Sequence, residues 1–113
     1  MKEFLLLFRS DLTNMPQRSP AEAQAATQRW IDWIQNLAAQ NHLIDRGNRL
    51  GNSGKVVKAN NVVVNGPYTE IKESLGGYTL IKAQSYDAAI ALVKDCPILL
   101  VGGNVEIREI SPL

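Results

Sequence analysis

Cysteine and histidine are close to absent from this sequence: Cys96 and His42 each stand alone among 113 residues. A single cysteine closes no internal disulfide, and one histidine with one cysteine falls short of a zinc site. Neither an oxidising compartment nor a metal is therefore expected. Long apolar runs are missing too. Phe4, Leu5, Leu6, Leu7 and Phe8 form a run too short for the core of a signal peptide, and no small-residue cleavage site follows it. No stretch approaches the ~20 residues of a membrane span. Neither sign of charge prevails, with 12 Lys and Arg against 11 Asp and Glu. That balance gives no electrostatic reason to expect nucleic acid or an anionic membrane as partner. Ser-His-Asp and Walker-type motifs are absent. The expectation is a cytoplasmic protein that needs no cofactor.

What remains is an ordinary globular composition, 45% apolar and 20% charged, unlike that of a disordered chain. A chain of this length is expected to form one domain, 1–113, burying roughly two thirds of its unfolded surface. Residues 3–9 read as a strand. Phe4, Leu6 and Phe8 face one side and Leu5 and Leu7 the other, so both sides want cover. Ser19 caps a helix, with Pro20 at its first position and Glu22 completing a capping box. That helix is expected to run to about Gln40, with Ala23, Ala26, Trp30, Ile34 and Leu37 inward and Trp33 at the edge of the stripe.

Short strands are expected over 43–50, 55–59 and 62–64, separated by Gly51-Asn52-Ser53-Gly54 and Asn60-Asn61. Pro67, which has no amide hydrogen, ends this meander. One helical turn over 69–74 and a strand over 78–83, entered through Gly76-Gly77, come next. Ser85 caps a second helix, 86–95, with Tyr86, Ala89, Ile90 and Val93 inward and Cys96-Pro97 as its stop. A last strand covers 104–110. This order suggests an α+β, ferredoxin-like sandwich with an antiparallel sheet and an elaborated middle. Two helices cover one face of such a sheet, and a second copy of the chain is the simplest cover for the other.

The distinctive stretch is 65–78, Asn-Gly-Pro-Tyr-Thr-Glu-Ile-Lys-Glu-Ser-Leu-Gly-Gly-Tyr. It resembles the hallmark of the YCII-related family, in the branch named for its Asp-Gly-Pro-Phe motif. Gly66, Pro67, Glu70, Lys72, Glu73, Gly76, Gly77 and Tyr78 match that pattern. The likeness extends to the apolar first strand, the helix after Ser19-Pro20 and the closing Val105-Glu106-Ile107-Arg108. It implies a dimeric α+β barrel made of ferredoxin-like halves, but it brings no established reaction. Some members are proposed enzymes, and some are associated with sigma factors of the extracytoplasmic type. Two positions depart from the pattern: Asn65 stands where the family has Asp, and Tyr68 where it has Phe. Proposed enzymes of the wider family carry a His–Asp pair, and His42 matches neither member of it.

Candidate ligand-binding residues are Asn65, Gly66, Pro67, Tyr68, Glu70, Lys72, Glu73 and Arg9. Gly66 and Pro67 turn the chain and also offer backbone groups to a ligand. Glu70, Lys72 and Glu73 form either a solvated turn or a pocket wall, with a carboxylate as base and Lys72 holding an anion. Arg9 follows the first strand at a sheet end, and Arg108, opposite in parity to Val105 and Ile107, reaches towards the uncovered face. No catalytic residue is assigned. The reading is a homodimeric module that binds an unknown small molecule or a regulatory protein. The alternatives are an enzyme using Glu70 or Glu73 with Lys72, and an adaptor for an extracytoplasmic-type sigma factor.

Overall fold

Alternation along the first strand decides the layering. In the computed structural model, which describes residues 1–14, 17–68 and 71–113, β1 (Lys2–Ser10) buries Phe4, Leu6 and Phe8 and leaves Leu5, Leu7 and Arg9 half-buried. The three buried side chains meet two helices, α1 (Pro20–Ala39) and α2 (Tyr86–Val93). Both helices start at serine caps. The Ser19 hydroxyl accepts from the Glu22 amide at 3.1 Å while Glu22 reaches back to the Ser19 amide at 3.4 Å, and Ser85 accepts from the Ala88 amide. These bonds satisfy amides that have no partner inside the helix.

The main sheet is antiparallel, in the order β2 (Leu43–Asp45), β5 (Ser74–Ala83), β1, β6 (Asn104–Glu109). This is the ferredoxin-like order, with β3 (Gly54–Lys58) and β4 (Val62–Gly66) inserted as a separate two-stranded ribbon. The ribbon turns at Ala59–Asn61, where Asn60 and Asn61 take left-handed backbone angles. The Cα radius of gyration is 15.7 Å, above the ~13 Å usual for a compact domain of this length. An arm standing off the main sheet accounts for the excess.

Several expectations shift. The first helix turns so that Trp33 is buried with Ala26 and Leu37, while Ala23 is exposed. The Trp33 indole donates to the Leu92 carbonyl at 3.1 Å, and that bond fixes its inward position. On α2, Ala89 and Val93 are buried, but Ile90 is 42% exposed. The strand expected over 43–50 stops at Asp45. Residues 46–50 instead follow β5 irregularly, through Thr79 Oγ1 to the Arg46 carbonyl, the Tyr78 amide to Asn48 and the Leu50 amide to Gly76. Gly47 allows this close approach: its φ is +70°, and a side chain there would run into the Tyr78 carbonyl. β5 begins at Ser74, four residues before expectation, because β1 supplies partners through the glycines. Among the described residues no helix is long and apolar enough to cross a membrane.

Candidate functional site

Residues that pair across an antiparallel ladder share a face, so register identifies the uncovered side of the sheet. Leu5 pairs with Leu80 and Arg108, Leu7 with Tyr78 and Glu106, and Arg9 with Leu75 and Asn104. This side therefore carries an apolar strip of Leu5, Leu7, Leu75, Tyr78 and Leu80, margined by Arg9, Glu106 and Arg108. Val105 and Ile107 pack on the helix side, and Arg108 takes the opposite side as the alternation requires. A β-bulge between Phe8 and Arg9 gives β5 an extra residue, Gly76. The bulge switches the parity of β5, so Leu75 stands beside Arg9.

The charged margin is a linked group. Arg9 donates to Glu106 Oε1 from Nε at 3.3 Å and from Nη2 at 3.2 Å. Its Nη1 donates to the Glu73 carbonyl at 3.3 Å, which ties the end of β1 to the distinctive segment. Arg108 Nη1 donates to Glu106 Oε2 at 3.3 Å. The Arg9 guanidinium, bonded to Glu106 and helped by Arg108, holds the Glu106 carboxyl below its ordinary value of 4.5. Arg9 and Arg108 thus meet at one carboxylate, that of Glu106.

The other candidates lie apart from this group or outside the description. Glu70 is outside the described residues. Lys72 and Glu73 are exposed on the turn Ile71–Glu73, where Glu73 contributes its carbonyl. Asn65, on the arm, accepts a hydrogen bond from Lys55 Nζ. The Gly66–Pro67 peptide is cis, and Tyr68 is 81% exposed. His42 Nδ1 lies 2.9 Å from the Lys82 carbonyl. Lys82 pairs with Glu3, six residues along β1 from Arg9, or roughly 20 Å. The histidine therefore has no part in this group. Among the described residues no cluster of His, Cys, Asp or Glu could hold a metal ion. A shallow depression of about 290 Å³ lies on the helix layer, lined by Arg29, Asp32, Trp33, Asn36, Asp95, Pro97 and Leu100. It includes none of the candidates.

The profile of the YCII-related domain matches residues 7–113. The chain belongs to the YCII-related domain family. Among solved structures, one match is to 5-chloro-2-hydroxyhydroquinone dehydrochlorinase from Burkholderia phenoliruptrix AC1100 in complex with 2,5-dihydroxybenzoquinone. It has 17% identity and a TM-score of 0.44, covering 96% of this chain and 93% of that one. No curated protein matches.

Glu106 is the site residue that sequence reasoning missed. Alternation alone puts Glu106 and Arg108 on one face, but it cannot say that β6 lies beside β1. Only that pairing brings a carboxylate 97 positions away against Arg9.

Proposed function

We propose that this YCII-related protein, of the Asp-Gly-Pro-Phe branch, is a homodimeric module that binds an anionic small molecule with an apolar body on the uncovered sheet face. The supporting observation is the Arg9–Glu106–Arg108 group, set at the margin of a leucine-rich strip and bonded to Glu73 of the distinctive segment. Arg9 is committed to Glu106 and the Glu73 carbonyl, which makes it a positioning residue. Arg108, with a side chain 68% exposed, meets Glu106 through one nitrogen. Its remaining donors suit a carboxylate or a similar anion. Lys72 and Glu73, on the turn that Arg9 holds through the Glu73 carbonyl, would form the rim.

Asn65 in place of the family Asp, and the lack of a His–Asp pair, support binding over catalysis. An amide accepts and donates hydrogen bonds but does no acid–base work. Calorimetric titration with benzoate and with hexanoate, an aromatic and an aliphatic carboxylate, tests the reading. Arg108→Ala should weaken binding by at least about tenfold, since a hydrogen bond to a charged group is worth roughly 1.5–3 kcal/mol. Absence of binding to the wild type, or equal binding by the variant, would overturn it.

A further inference from the structure

Asn65 is the sole asparagine of the chain that precedes a glycine. Its carboxamide carbon stands within reach of the next amide nitrogen, and Gly66 has no side chain to shield that nitrogen. The structure adds three features to this pairing. Asn65 is exposed, so water reaches it. Lys55, opposite it in the ladder, donates from Nζ to its Oδ1. The neighbouring pair, Gly54 with Gly66, is the last of the ladder, and the chain leaves β4 there. β3 and β4 pair only with each other. Such a ribbon is marginally stable in water, and its ends open most readily.

We propose that Asn65 is a self-modification site, at which the Gly66 amide closes on the carboxamide beside the Lys55 charge and a carboxylate is left on the arm. The Gly66 nitrogen gives up its proton and bonds to Cγ. The Cγ–Nδ2 bond breaks, the amide leaves with that proton as ammonia, and a five-membered imide remains. Water then adds to either imide carbonyl. Cleavage of the new N–Cγ bond yields aspartate. Cleavage of the original peptide bond yields isoaspartate, with the chain running through the side-chain carbon. Nothing is oxidised or reduced. The extended strand holds Asn65 away from the backbone angles that ring closure needs, so the step takes place when the terminal Gly54–Gly66 pair opens. Lys55 then stands beside Oδ1, where negative charge builds as the nitrogen adds. The product alters the charge of the chain: 12 Lys and Arg come to face 12 Asp and Glu instead of 11, and the formal charge falls from +1 to 0.

The experiment incubates the purified protein at physiological temperature, at neutral and at mildly alkaline pH. Isoelectric focusing follows the charge, and peptide mapping by mass spectrometry locates the change from amide to acid. Asn52, exposed in the loop before β3 but followed by Ser53, is the internal comparison. The expected result is a more acidic species modified at position 65 before Asn52, formed faster at the higher pH because the attacking nitrogen must lose its proton. Asn65→Gln, whose longer side chain closes a less favoured six-membered ring, should keep its charge over the same period. Lys55→Gln should convert at least about twofold more slowly, the scale of an exposed charge contact. Lys55→Arg, which keeps the cation, should convert as the wild type does. Absence of conversion at position 65, or earlier conversion at Asn52, would overturn the proposal. A rate in Lys55→Gln equal to or above that of the wild type would overturn it too, since the site would then owe nothing to the ladder that sets Lys55 against Asn65.

Discussion

Glu106 sits between two guanidiniums, and its response to acid follows from that position. Its carboxyl is held below the ordinary 4.5, chiefly by the bond from Arg9. A carboxyl depressed in the folded state contributes stability above its unfolded value and loses it as pH falls through the folded one. The difference in Tm between wild type and Glu106→Gln should therefore shrink as melts are taken from neutral pH down through 4.5. A constant difference would mean that the Arg9 contact contributes nothing as an ion pair. Cys96 behaves in the opposite way. Burial pushes its thiol up to about 12, against a smaller opposing effect from the Ile98 backbone, so almost no thiolate exists at neutral pH. A chromogenic disulfide reagent should leave the native protein unlabelled and label one thiol on denaturation. Rapid native labelling would show that the core opens there. At Asn65, Asn65→Asp turns the contact with Lys55 into a cross-strand ion pair. Such pairs at exposed sites are worth about 0.2–1 kcal/mol, which chemical denaturation with a constant slope can measure.

At the scale of elements, the start of α1 is the sharpest test. Ser19→Ala removes the side-chain acceptor of the capping box and should cost about 1 kcal/mol, read as a lower midpoint in urea. No change would mean that Pro20 alone sets the start. This cap was legible in sequence, as were the alternation of β1 and the overall strand–helix order, while α2 ends at Val93, two residues short of the expected 95. These signals are local: a side chain meets a backbone group a few residues away. What was not legible depends on distant partners. Ile90 fits the inward stripe of α2 by spacing, yet the sheet beneath accommodates Ala89 and Val93. Gly76 and Gly77 read as a strand entrance, while in the fold they lie inside β5, one of them as a bulge against Phe8 and Arg9. For the site, Arg9 and Glu73 were recognised singly. Neither the bond between them nor the presence of Glu106 follows from spacing.

For the whole molecule, the central question is the bare side of the sheet. Leu5 is half-buried at its middle, so Leu5→Asp should leave a folded protein and abolish association. Sedimentation showing an unchanged dimer would mean that copies meet elsewhere. One further consequence lies in the strand order itself. β1 is flanked by β5 and β6, so it leaves the ribosome well before either neighbour, as the 97-residue gap between Arg9 and Glu106 records. Until β5 emerges, Phe4, Leu6 and Phe8 have helical cover at best, and until β6 emerges one backbone edge of β1 stays open. Such long-range pairing folds slowly, and an open apolar edge invites other chains. A nascent chain stalled before β5 leaves both edges of β1 open, one stalled after α2 still leaves one, and β6 acts as the latch that closes it.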